Sequence, residues 1–219
     1  MPAKTRFSAQ DVIDAAFQII RTQGVEKCSA RAIAHEMNSS TMPIYSCIHS
    51  MKELEEAIVK KALDLLIHYE TQDRTGVSVL DMSIGYILFA KEEKHLFRML
   101  FVLEDREYDS QLMNKGQEYA MDALMERLNA FEPLDGFTHD QKKDILHRMW
   151  IFNHGLAVLL NNSIIEDMSE DDIIDLLMDT GVYFMVGVRD RETIFAQENM
   201  EDFKEIVRKR RDSIKQTVS

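Results

Sequence analysis

A chain of 219 residues with 45% apolar side chains is long enough to bury a sizeable core, and its three Pro and eight Gly leave little turn chemistry for a sheet protein. The formal net charge of −12 argues against nucleic-acid contact over the whole surface. That charge is unevenly spread, however. Lys4, Arg6, Arg21, Lys27 and Arg31 nearly balance Asp11, Asp14, Glu26 and Glu36, so residues 1–50 carry about +1 and the rest about −13. A near-neutral head on an acidic body turns only the head toward phosphate. The same acidity also serves solubility. Cys28 and Cys47 are too few for a disulfide framework or a zinc site. With no apolar run of membrane-spanning length and no leader-like N-terminus, the chain reads as cytoplasmic with reduced thiols.

In chain order, the first five or six residues are expected to form a loose basic arm with Lys4 and Arg6. Ser8 and Asp11 make a capping-box pattern, and Val12, Ala15, Ala16, Ile19 and Ile20 repeat at helical spacing up to Gly24. Val25 to Cys28 form a link, with Ser29 as the next N-cap. The helix it opens runs to about Met37, with Ala30, Ile33, Ala34 and Met37 inward, and Asn38 tolerates a left-handed turn. Ser40 caps a short helix with Pro43 in its first turn, where a missing amide costs nothing. Ser50 and Glu53 make another capping box, and the helix beyond carries Leu54, Ala57, Ile58, Lys61, Leu65 and Leu66 to about residue 70. Two short helices joined by a tight polar break outline a helix-turn-helix.

Further helices are expected over 77–92, 94–103 and 109–131, with a loop at 132–136. Thr138 and Gln141 open a helix to about Asn162, and Ser169 and Asp172 open one to about Arg189. The tail holds one more possible helix, ending in Arg208, Lys209, Arg210 and Arg211. The fold class is all-α: a small three-helix helix-turn-helix head, 1–53, on a larger helical ligand-binding and dimerisation body, 54–219.

The head resembles the TetR family of transcription regulators. The elements that carry the resemblance are Ala15-Ala16, Gly24, Ile33-Ala34, Ile44-Tyr45, and Ser50 with Leu54, in register over residues 8–58, about a quarter of the chain. Phe89-Ala90, Leu96-Phe97-Arg98 with Phe101, and Trp150-x-x-x-His154-Gly155 resemble one C-terminal subtype of that family more loosely. The chain departs from the family at three places: Asn38 replaces the turn Gly, Cys47 a His, and Met51 the Lys that opens the fourth helix. Lys52 follows at once and is expected to take over that phosphate contact.

The candidate DNA-contacting residues are Lys4, Arg6, Arg31, Thr41, Met42, Pro43, Tyr45, Ser46, His49 and Lys52. Thr41, Met42 and Pro43 face base edges, with little hydrogen-bond readout. Tyr45, Ser46, His49 and Lys52 hold phosphates, Arg31 sits at the groove edge, and Lys4 and Arg6 form the arm. The plainer reading is a helical head with a solvated polar face. In the body, Phe89, Phe97, Phe101, Tyr119, Met149, Trp150 and His154 are the candidate lining of a cavity for an apolar or amphipathic effector. The same residues also suit an ordinary core. His147 and His154 share a helical face but do not make a metal site unaided. No phosphate loop, HExxH or nucleophile elbow is present, so neither an enzyme nor a cofactor is expected.

Helices 141–162 and 172–189 are apolar on more than one face, and the second face wants a partner. Phe152, Leu156, Leu159, Leu177, Phe184 and Met185 are the candidate dimer interface, with Gly155, Gly181 and Gly187 allowing close approach. As the resemblance implies, the expected function is a dimeric repressor of a pseudo-palindromic double-stranded DNA operator, released by a small-molecule effector. The alternative is a non-catalytic helical adaptor that binds another protein through its acidic body.

Overall fold

In the computed structural model, which describes residues 7–102 and 121–190 together with Glu205 and Lys209, all regular structure is helical. Ser8 starts it. Its hydroxyl accepts from the Asp11 amide at 3.2 Å, and Asp11 Oδ2 accepts from the Ser8 amide at 2.7 Å, closing the capping box of α1 (Ala9–Gln23). Gly24 ends α1 at φ 91°, and a 3-10 turn (Val25–Lys27) leads to Ser29, which caps α2 (Ala30–Glu36). Asn38 turns the chain at φ 49°. The helix α3 (Met42–Cys47) then begins after Thr41, not Ser40: the Thr41 backbone is already helical, and no side-chain cap forms. Pro43 in the first turn supplies a preset φ in place of a cap.

Ser50 caps α4 (Met51–Glu70) through the Glu53 amide. The expected capping box is only half made there, because the Glu53 carboxylate accepts from the His49 amide instead. The body adds α5 (Ser78–Glu92), α6 (Lys94–Phe101), α7 (described over 121–129), α8 (His139–Asn161) and α9 (Glu170–Arg189). A 3-10 turn at Glu132–Leu134 forms the loop before α8. The expected start of α7 lies outside the described residues, as does the tail apart from Glu205 and Lys209, which pair at 2.7 Å.

α5 is the central strut. It is buried from Asp81 to Ala90 apart from Tyr86, which is partly buried, and α4, α6, α8 and α9 pack around it. A helix apolar on nearly all sides belongs in the middle of a bundle. Gly85 lets α4 come close: a Cβ there would overlap the Tyr69 carbonyl. One apolar core runs from Val12 on α1 through Leu54 and Ile58 to Leu177 on α9, and a smaller one joins Leu128, Leu134, Ile145, Leu146 and Val188. The expected boundary at 53/54 therefore falls within the first turn of α4, inside a shared core.

Candidate functional site

α3 is six residues long and is held by Ile44, Cys47 and the Ile48 that caps its end. Ile44 and Ile48 are buried under it, and the Cys47 thiol donates to the Phe7 carbonyl at 3.3 Å, tying its end to the segment entering α1. What remains faces water. Met42 is 78% exposed and Tyr45 68% exposed, three residues apart and so on one face. Pro43 and Thr41 are partly exposed beside them. The Ser46 hydroxyl is exposed but donates to the Pro43 carbonyl at 2.9 Å.

Arg31 on α2 and His49 and Lys52 around the start of α4 are all exposed. Lys52 reaches Glu56 only at 3.8 Å, a weak surface pair. Lys52 is thus exposed and only loosely paired at the position after Met51, which opens α4. The eight described candidates for DNA contact lie in one segment of the head, while Lys4 and Arg6 lie outside the described residues.

The body gathers aromatic rings around Tyr86, which the sequence reading did not single out. Its ring lies 5.9 Å from Phe97 and 5.7 Å from Phe101, and its hydroxyl bonds His154 Nδ1 at 2.9 Å. Burial pushes the Tyr86 hydroxyl up and holds the His154 imidazole below its ordinary value, so both favour their neutral forms. Trp150 stacks on His154 at 6.1 Å, and His147 on Trp150 at 6.3 Å. Positions 147, 150 and 154 of α8 thus form a ladder from the surface into the cluster. Met149 is partly buried between the two cores.

Phe89 is not with that group. It is fully buried and meets Tyr69 edge-on at 5.7 Å, against α4. Tyr119 lies outside the described residues. An open cleft of about 360 Å³ lies nearby, lined by residues that include Glu70, Asp73, Asp81 and Arg127, and the expected lining residues are not among them. Burial pushes the Glu70 carboxyl up to about 7, against the opposing pull of Arg127.

Helices α1 to α4 hold the residues that carry the sequence resemblance. The chain is 38% identical over 58 residues to the HTH-type nicotine-responsive transcriptional repressor HdnoR of Paenarthrobacter nicotinovorans. That match spans 26% of this chain and 30% of the repressor. The likeness to that helix-turn-helix repressor is confined to about a quarter of this chain. The solved structure of apo ActR from Streptomyces coelicolor aligns over 86% of this chain and 100% of its own, with TM-score 0.44 and 13% identity. No protein-family model matches the chain.

Besides the shared core, a polar cluster ties the head to the body at the junction between α5 and α6. Glu93 is buried there as the residue before α6, and Arg21 of α1 grips its carboxylate with two nitrogens, Nε at 2.7 Å. That contact raises the Arg21 guanidinium further above its ordinary value. The Tyr69 hydroxyl of α4 donates to Glu92 at 2.7 Å and lies 3.4 Å from Glu93. Asn161 of α8 donates to the carbonyls of Ala90 at 2.9 Å and Lys94 at 3.1 Å. Lys91 pairs with Asp167 at 3.0 Å in the α8–α9 loop. Sequence reading missed this node because Glu92-Glu93-Lys94 looks like a solvated charge run.

The outer face of α8 and α9 carries Ile151, Leu159, Met178, Val182, Tyr183 and Val186, all exposed. Two expected interface residues are not on it. Leu156 and Leu177 are buried in the protomer's own core, because their helical phase faces α5. Of the others, Leu159 is exposed, and Phe152, Phe184 and Met185 are partly buried. Gly155, Gly181 and Gly187 touch nothing within 4 Å of their missing Cβ, so close approach within the protomer does not require them. Among the described residues no group of three or more His, Cys, Asp or Glu is arranged to hold a metal ion, and no helix is long and apolar enough to cross a membrane.

Proposed function

We propose that this chain is a dimeric, effector-responsive transcriptional repressor and not an enzyme. The observation that carries the reading is α3. It is a short helix in helix-turn-helix register whose large side chains, Met42 and Tyr45, point into water while its anchors are buried. Such a surface serves the folded chain nothing and a major groove well. The match to a known repressor supports the same reading.

The exposed apolar stripe on α8 and α9 is where a second copy docks, with the three open glycines on or beside it. Two heads then meet successive major-groove faces of a pseudo-palindromic operator. The effector is apolar or amphipathic and enters among Tyr86, Phe101, Trp150 and His154. α6 carries Phe97 and Phe101 along its length and follows directly on Glu93. A ligand that displaces Phe101 therefore moves the same helix whose start grips Arg21 of the head. Release requires only that the ligand prefer the displaced arrangement, and coupling of about 1–3 kcal/mol suffices for a 5–150-fold change in DNA affinity.

A mobility-shift titration with the DNA flanking the chain's own gene tests this. A discrete shifted complex, weakened by Tyr45→Ala, is expected. No complex at micromolar protein, with capture of a protein partner instead, favours the adaptor reading.

A further inference from the structure

We infer that each operator half-site presents thymine methyl groups to α3, and that Met42 is the residue that selects them. The inference rests on the DNA-binding reading above and adds the chemistry of what is read.

Residues 39–48, SSTMPIYSCI, contain no Arg, Lys, Asn, Gln, Asp or Glu. Those are the side chains that read guanine, adenine and cytosine edges through paired hydrogen bonds. The polar groups that remain are few. The Ser46 hydroxyl is already donating to Pro43, and Thr41 offers one hydroxyl at the start of the helix. The Ser39 hydroxyl donates to the Ser40 carbonyl at 3.0 Å.

What α3 extends is apolar: the Met42 chain, the Tyr45 ring and, beside them, Pro43. Among the four bases, the major groove offers one apolar group, the C5 methyl of thymine. A flexible thioether follows a methyl at slightly varying positions better than a rigid side chain does. His49 and Lys52 stand exposed just after α3 and suit backbone contacts, which carry no sequence information, while Arg31 stands on α2, outside the recognition helix. The base choice that α3 itself makes therefore rests mainly on methyl contact, with only the Thr41 and Tyr45 hydroxyls beside it.

The test uses the flanking duplex that the protein binds, with protected thymines replaced one at a time by deoxyuridine, which removes only the methyl. Affinity is read by fluorescence anisotropy. At the contacted thymine, Kd should rise about fourfold per methyl, equivalent to ~0.8 kcal/mol, and about sixteenfold when both half-sites are changed. Met42→Ala should bind thymine and uracil duplexes with nearly equal Kd, close to that of the wild type on uracil DNA. Its far-exposed position predicts an unchanged melting temperature, which confirms that the variant is folded. If no uracil substitution changes Kd, or if Met42→Ala keeps the full thymine preference, the inference fails while the DNA-binding function stands. If the protein retains no flanking duplex at all, both fail together.

Discussion

Arg21→Ala should destabilise the protein more than Glu93→Gln, although both break the same ion pair. The Glu93 side chain is 5% exposed and that of Arg21 41%. Removing Arg21 strands a buried carboxylate for which, among the described residues, the Tyr69 hydroxyl sits at 3.4 Å and is already bonded to Glu92. Stranding a fully buried ion costs about 3–5 kcal/mol. Water reaching the Arg21 side of the pair screens part of that, leaving about 2–3 kcal/mol. Glu93→Gln instead leaves a neutral amide that still accepts a hydrogen bond and an arginine with access to solvent, at a cost of about 1 kcal/mol. In a chain of this size the corresponding losses in Tm are about 4–12 °C and about 2–4 °C. Urea unfolding followed by circular dichroism, at fixed protomer concentration, reads both. The double variant closes the cycle. Equal losses, or a larger loss for Glu93→Gln, would mean that Glu93 is hydrated and that the α5–α6 junction is no buried lock.

Gly85→Ala forces a methyl into the Tyr69 carbonyl, so α4 and α5 must separate; a loss of about 3 kcal/mol or more is expected in the same unfolding assay. Glu70 has a folded-state pKa of about 7, above its ordinary 4.5, so the folded chain holds an extra proton between those values and loses stability as pH rises through that window. Glu70→Gln should therefore melt higher than wild type at pH 8 and alike at pH 4, and identical melting at both would place the carboxylate in free water. Leu159→Glu and Val182→Glu put charges on the exposed stripe of α8 and α9, and sedimentation should turn a micromolar dimer into monomer while circular dichroism stays helical. A wild-type monomer at that concentration removes the two-headed arrangement. Trp150 is the one tryptophan, stacked on His154, so indole emission should change as an effector enters and DNA leaves over the same concentrations.

Local rules carried the sequence reading a long way. Ser8 with Asp11, Thr138 with Gln141 and Ser169 with Asp172 each mark a helix start, because the box is a contact between residues three apart and needs no tertiary context. Asn38 was legible for the same reason. Ser40 misled because Pro43 already fixes the entry to α3, so that no side-chain cap is made. The long-range contacts were not legible. Nothing in the spacing of Arg21 and Glu93 says that they meet, and helical phase alone did not tell Leu156, turned inward, from Leu159, turned outward, on a helix apolar on more than one face. Tyr86 went unread because α5 is apolar on nearly every side, so no one ring on it stood out as lining a cavity.

The most direct test of a two-headed operator-binding repressor is a nuclease footprint of the purified chain on the DNA flanking its gene. The account predicts two protected half-sites, related by an approximate two-fold axis and centred about one helical turn apart, roughly 10 base pairs or a multiple of it. Protection should be lost with Tyr45→Ala and halved in extent for a variant held monomeric. Uniform cleavage across that DNA, at protein concentrations where the chain is folded and dimeric, would contradict the account at its centre.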